Sequence, residues 1–253
     1  MNAIEEKFSR QLRELQLPCQ KNAGKAFQLT SEQMNQLRFY YCNLLEWNRV
    51  MNLTTITEEE DVYTKHFLDS LSFIRELNGM PAITGRTLID VGTGAGLPGL
   101  VLAIAFPQLR VTLMDSLNKR IQFLNDTAGR LKLTNVVTIH ARAEELGRSV
   151  KHREQYDFAV SRAVANIATL SEYCIPFVKQ GGKFVAFKAE KVEEELAVGK
   201  GAIPKLGGRI LKQDHFVLPE TPYERDLLVI GKTHPTPKVY PRKAGTPSRD
   251  PLH

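Results

Sequence analysis

Cysteine is scarce, with three among 253 residues, and Cys19, Cys42 and Cys174 are scattered along the chain. Without paired spacing they make neither a zinc ligand set nor a disulfide framework, and they read as reduced thiols acting as small hydrophobes. Long apolar runs are missing too, all of them far short of the roughly 20 residues that cross a membrane. No basic-apolar-small leader pattern precedes the first helix, so a soluble cytoplasmic chain is expected. The sequence shows no obvious nucleophile, acid-base pair or metal cluster. What remains is ordinary globular material, 42% apolar and 25% charged, long enough for a large domain with an appendage. Nothing demands a dimer, and a monomer is expected.

The net charge of +6 is unevenly placed. Residues 231–253 carry Lys232, Lys238, Arg242, Lys243 and Arg249 against Asp250 alone, which suits a polyanionic partner. Five prolines in this stretch exclude helix and central strand and predict an extended, partly polyproline II segment. Tyr240, Arg242 and Lys243 would then present a ring and two cations on a stiff backbone, a site for the phosphate and base of a nucleic acid.

Residues 1–80 read as helical. Thr30 and Gln33 form a capping-box pattern ahead of Met34, Leu37, Tyr41, Leu44 and Leu45 at helical spacing, and Thr57 with Glu60 repeats the box ahead of Phe67, Leu71, Ile74 and Leu77. From Thr87 the pattern turns to strands near 87–91, 111–115, 136–141, 156–161 and 181–188. Helices near 97–106, 118–132, 166–178 and 189–206 separate most of them. Such alternation predicts an α/β fold with a parallel sheet covered on both faces. Two last strand-like runs, 209–217 and 226–232, predict an antiparallel pair at one edge. The expected parts are a helical region over 1–80, a Rossmann-like domain over 81–232 and a basic tail over 233–253.

In LIDVGTGAGLPG, Gly92, Gly94 and Gly96 follow the first strand, where an open parallel sheet binds its ligand. Gly94, Gly96 and Gly99 also match the dinucleotide pattern, with Asp115 about 20 residues on, so the motif alone does not choose its cofactor. Charge favours S-adenosylmethionine. Asp90 would repel a pyrophosphate yet attract the ammonium of an amino acid, and Asp115 can accept from both ribose hydroxyls. After the third strand, Ala143 and Glu144 fall where an adenine edge would lie.

Beyond this loop the chain resembles the ribosomal RNA small subunit methyltransferase G family, also called glucose-inhibited division protein B. The matching stretches are EWNRVMNLTTIT, KHFLDSL, LIDVGTGAGLPG, DSLNKRIQFL, RAEEL, SRAVA, FVAFKA and YPRKAGTP, in order from about residue 40 to 247. The resemblance implies a class I S-adenosylmethionine-dependent methyltransferase. It would have a mostly parallel seven-stranded Rossmann-like sheet behind an N-terminal helical extension, and it would act on N7 of one guanosine in the 530 loop of 16S rRNA in the small ribosomal subunit. It also implies cofactor contacts at Gly92, Leu97, Ala143, Glu144 and Arg162, with Asp115 and Ser116 on the ribose side.

Guanine N7 has an in-plane lone pair and no proton to lose, so this chemistry needs alignment and charge management, not a general base. Arg162 in SRAVAN ends the fourth strand, where it can hold the methionine carboxylate or guanine O6; Lys188, ending the fifth, is a second catalytic or RNA-contacting candidate. His66, Asp69 and Ser70 read as a solvated helix face or a buried hydrogen-bond network, or, more sharply, as part of an RNA pocket. Trp47 reads as core. Two other classes stay open: a nicotinamide-dependent oxidoreductase using Gly94, Gly96 and Gly99, and a ribosome-binding protein without catalysis.

Overall fold

The structure, a computed structural model, describes residues 2–16, 27–77, 83–162, 165–189 and 192–253. Cys19 lies outside them. Helix α1 (Ala3–Gln16) precedes α2 (Ser31–Met51), which opens on the predicted capping box: Thr30 Oγ1 accepts from the Gln33 amide while Gln33 Oε1 accepts from the Thr30 amide. The Gln33 side chain also donates to the carbonyls of Ile104 and Ala105, each at 3.0 Å. Met34, Leu37 and Leu44 are buried as expected, but the fully buried ring is Tyr40, with Tyr41 half-buried at the margin. Spacing alone does not choose between adjacent tyrosines. Tyr40 is selected because its hydroxyl donates to the Ala95 carbonyl in the glycine loop. Trp47 is half-buried at the edge of the core, edge-on to Phe123 and donating to Asp126.

The second capping box does not form. The helix starts at Glu59 with Glu58 as an N-cap that makes no side-chain bond, and the Thr57 carbonyl takes the Tyr41 hydroxyl instead. The run then changes pitch, from α3 (Glu59–Asp61) to a π-helix over Val62–Leu68, to α4 (Asp69–Leu71) and to a 3-10 turn over Ser72–Glu76. Its interior is therefore not one apolar stripe. Phe67, Leu71, Ile74 and Leu77 are buried, and so are Tyr63, Leu68, Phe73, His66, Asp69 and Ser70.

Strands β1 (Thr87–Val91), β2 (Arg110–Asp115), β3 (Val136–His140), β4 (Tyr156–Arg162), β5 (Val178–Lys188), β6 (Gly208–Val217) and β7 (Glu224–Lys232) form one seven-stranded sheet. Its order is β3-β2-β1-β4-β5-β7-β6, parallel except for β7, which runs antiparallel to both neighbours. Helices α5 (Gly99–Ala105), α6 (Asn118–Arg130), α7 (Ala143–Leu146), α8 (Ile167–Cys174), α9 (Val192–Gly199) and α10 (Ala202–Lys205) complete the connections. Phe8, Leu37, Tyr40 and Phe67 share one apolar cluster with Leu88, Leu100 and Leu124, so the helical region is built into the core of the sheet domain. A second cluster, including Ile89, Tyr156, Leu170 and Phe184, fills the other face. The strand order reverses between β1 and β4, which opens a crevice at the carboxyl ends of those strands.

The C-terminal segment departs from expectation. It contains one helical turn, α11 (Thr246–Arg249), with Pro247 in the first turn where no amide donor is required. It is also docked. Arg148 and Arg153 hold the carbonyls of Pro241 and Tyr240 at 2.8 Å each, Arg242 pairs with the fully buried Glu172, and Lys232 lies buried against Glu154 and the Ile175 carbonyl.

Candidate active site

The glycine turn is built from beneath. Asp90, fully buried at the end of β1, accepts from the Thr93 hydroxyl at 2.7 Å and the Gly99 amide at 2.8 Å through Oδ2. Its Oδ1 is buried without a hydrogen-bond partner among the described residues. Burial pushes this carboxyl up to about 6, against the pull of those two hydrogen bonds. Asp90 thus shapes the loop from below and is absent from the lining of the three cavities along this edge of the sheet, unlike the direct ligand contact expected of it. Gly96 is absent likewise. A Cβ there would stand 2.9 Å from Leu100 and Leu124, so its glycine character, at φ 95°, serves close packing. Gly94 differs, since at φ 60° a Cβ would point into open space.

These contacts decide against a dinucleotide. The pyrophosphate of such a cofactor sits on free amides at the start of the following helix. Here the Gly99 amide is taken by Asp90, and Pro98 has no amide to offer. A Cβ at Gly99 would meet Leu113 at 2.4 Å, the close helix-to-strand packing that a third glycine serves with either cofactor.

Three cavities open along the carboxyl edge of the sheet. The first, about 680 Å³, is walled by Lys65, His66, Asp69, Arg162, Lys188 and Arg225 with Asp226, Glu195 and Phe187 among its remaining lining. A second, about 420 Å³, follows the glycine turn and takes in Thr54, His66, Gly92, Gly94, Leu97, Asp115, Ser116, Arg120 and Arg162. The third, about 270 Å³, lies over β2 and β3 and is lined by Gly92, Asp115, Ser116, Ala143, Glu144, Tyr173, Gly245 and Ser248 among others. The second and third meet at Gly92, Asp115 and Ser116; the first and second meet at His66 and Arg162.

Asp115 occupies the seam between the second and third cavities. Its carboxylate accepts from the amides of Gly94 and Leu117 at 3.0 and 2.9 Å and faces Arg120 at 3.2 Å. At the other seam, Arg162 donates to Asp69 Oδ2 at 2.7 Å, and Arg225 from β7 donates to Asp69 Oδ1 at 2.8 Å. The Asp69 carboxylate is buried between two guanidiniums, an arrangement that fixes both planes. Arg162 also faces His66 Nδ1 at 3.5 Å, while His66 Nε2 lies 2.9 Å from Thr54 Oγ1. Since arginine can only donate, Nδ1 is the bare nitrogen and Nε2 carries the hydrogen. Burial, and then the charge of Arg162, lower this imidazole to about 4, so it is neutral near pH 7.

Lys188 is neither solvated nor free at the cavity. Its ammonium donates to the Ala165 carbonyl at 2.9 Å and to Glu195 at 2.6 Å, and its side chain is 9% exposed. It braces the loop after β4 from the wall of the first cavity, with its charge shared with Glu195. The nucleic-acid contact expected of Arg242 and Tyr240 is corrected. The guanidinium is consumed by Glu172 and Asp250, and the half-buried ring packs against the second core cluster. Lys243, with Lys238 and Arg249, stays exposed. Among the described residues no group of histidine, cysteine and carboxylate side chains is placed to hold a metal, and no helix is long and apolar enough to cross a membrane.

Sequence reasoning missed several wall residues. Lys65 stands in the quoted KHFLDSL and Gly245 in YPRKAGTP, so the motifs carried them unassigned. Arg225, Tyr173 and Ser248 had no local signal.

The family model described as rRNA small subunit methyltransferase G matches residues 33–221. The ribosomal RNA small subunit methyltransferase G of Lachnoclostridium phytofermentans is 51% identical over 88% of this chain and 91% of its own. Its namesakes from Staphylococcus aureus and Alkaliphilus metalliredigens are 52% and 50% identical, each over 89% of this chain and over 92% and 93% of theirs. Among solved structures, the 16S rRNA (adenine(1408)-N(1))-methyltransferase from Catenulisporales acidiphilia superposes with a TM-score of 0.51 at 16% identity, over 61% of this chain and 88% of that one. A SAM-dependent O-methyltransferase from Thermotoga maritima gives 0.51 at 14% identity, over 78% of this chain and 72% of that one. Those two likenesses concern the fold. On the family model and the sequence relatives together, the chain belongs to the rRNA small subunit methyltransferase G family.

Proposed function

We propose that the protein methylates N7 of one guanosine in the 530 loop of 16S rRNA, with S-adenosylmethionine as the methyl donor. The observation that carries this reading is the seam at His66 and Arg162, where the glycine-turn cavity opens into a larger cavity with four cations on its wall. The joined second and third cavities suit an elongated ligand with a nucleoside at one end and an amino acid at the other. Asp115 stands at the middle for a ribose, Arg120 for a carboxylate, and Ala143 and Glu144 at the far end for adenine. Gly92, Gly94, Leu97 and Ser116 complete that wall, while Asp90 and Gly96 support it from below. The first cavity falls in the size range of small-molecule sites and accommodates a base turned out of its stack.

S-adenosylmethionine, when bound, supplies an electrophilic sulfonium methyl. The chain's own task is to place guanine N7 in line with that methyl and to exclude water. Arg162, held by Asp69, is set to donate to guanine O6, beside N7 on the same edge of the base. N7 methylation leaves the purine cationic. The Asp69 carboxylate between Arg162 and Arg225 reduces the positive charge that this purine faces, and His66 adds none because it is neutral. Lys65 and Arg225 at the cavity, and the exposed Lys238, Lys243 and Arg249 of the tail, supply positive charge for the phosphate backbone. The protein would work as a cytoplasmic monomer in three parts, 1–80, 81–232 and 233–253.

Tritiated methyl groups should pass from S-adenosylmethionine to unmodified small ribosomal subunits and not to large ones. No transfer to small subunits by protein that binds the cofactor would overturn the catalytic reading and leave a ribosome-binding protein.

A further inference from the structure

The third cavity has a wall that the sheet does not provide. Gly245 and Ser248 line it from the C-terminal segment, with Gly245 next to Glu144. We infer that this segment is a cofactor-binding element, with the Gly245 backbone and Ser248 forming the outer wall against the adenosine part of S-adenosylmethionine. This rests on the cofactor reading above and adds to it residues that no strand-to-helix turn contributes.

Three observations support the inference. First, Glu144 is tied to the segment: its Oε1 accepts the Gly245 amide at 2.8 Å, and Glu144 is itself 5% exposed. Gly245 makes this contact at φ 79°, a conformation that favours glycine. Second, Tyr173 on α8 lines this cavity together with Gly245 and Ser248, so the tail and the helix close it jointly. Third, the segment is held down on both sides of that point. Upstream, Arg242 gives the fully buried Glu172 its backbone amide at 2.7 Å and a forked guanidinium pair. Downstream, the Pro247 carbonyl accepts from the buried Thr169 hydroxyl at 2.9 Å, and Leu252 packs against the second core cluster. Lifting the segment away would strand the Glu172 carboxylate in the interior, which is strongly unfavourable. A polyanion-binding arm has no need of such anchoring. A wall that must keep its place beside a nucleoside does.

Amide hydrogen exchange on the full-length protein, with and without saturating S-adenosylhomocysteine, tests this. Residues 92–97 and 143–147 report cofactor binding, and 245–249 report the wall. The expected result is exchange slowed at least fivefold in all three segments. Slowing in the first two with none in 245–249 would overturn the inference and leave the cofactor reading intact; slowing in none would overturn both. As a second measurement, Ser248→Trp places a bulky ring at an exposed position on the cavity rim. Calorimetry should then show S-adenosylhomocysteine binding weakened at least tenfold while the ligand-free melting temperature stays unchanged. Weakening of less than twofold would contradict the assignment.

Discussion

His66 is the residue whose charge the site can least accommodate, because it is buried against the Arg162 guanidinium. Its pKa falls from 6.5 in an unfolded chain to about 4 in the fold. Between those values the unfolded chain holds a proton that the native state does not, so this stabilisation is complete above 6.5 and is lost as pH falls toward 4. Asp90 acts in the opposite sense, since its carboxyl rises from 3.8 to about 6 and its stabilisation is lost as pH rises across that window. Comparing wild type with His66→Gln separates the two. The difference in urea unfolding free energy should grow by about 3 kcal/mol from pH 4 to pH 7, and a pH-independent difference would refute the assignment. Arg162→Ala should slow single-turnover methyl transfer at least ~100-fold, the scale of losing one preorganised donor; unchanged transfer with normal cofactor affinity would remove Arg162 from the mechanism. Replacing Lys238, Lys243 and Arg249 together by alanine should flatten the log K versus log salt slope for RNA by about 2 units, and an unaltered slope would show that they face no phosphate. The site was partly legible from sequence because Arg162, Asp115 and the glycines sit at strand ends, where topology alone aims them at the crevice. Arg242 was not, since its partner Glu172 is 70 residues away and nothing local announces a buried carboxylate.

Helix α2 connects the helical region to the cofactor loop through two side chains. Tyr40 holds the Ala95 carbonyl, and Gln33 caps its own helix while binding the last carbonyls of α5. Gln33→Ala removes both sets of contacts and should cost about 1–2 kcal/mol, read as a lower urea midpoint with the slope unchanged. A midpoint equal to wild type would show that water replaces them at no cost. This capping box was readable because all its atoms lie within four residues. The Thr57 box had the same spelling and failed, because the following turns widen to π pitch to bury residues on most sides, which no local pattern encodes. The tail shows the same limit: its prolines correctly exclude a strand, yet its docking depends on Arg148, Arg153 and Thr169 from distant elements.

The sheet was the most legible feature, since parallel strands buried on both faces leave continuous apolar runs that their helices separate cleanly. The antiparallel β6–β7 pair followed from the missing helix between its strands. Cavities are a product of the whole chain. The first draws on the π-helix, β4, β5, α9 and β7, and its seam with the second is where the account places methyl transfer. The most direct test locates the methyl group. 16S rRNA from small subunits treated with the protein and S-adenosylmethionine is cleaved chemically at 7-methylguanosine and the breaks are mapped. The account predicts a single new break in the 530 loop, lost with Arg162→Ala; a methyl group on another atom or outside that loop would contradict it.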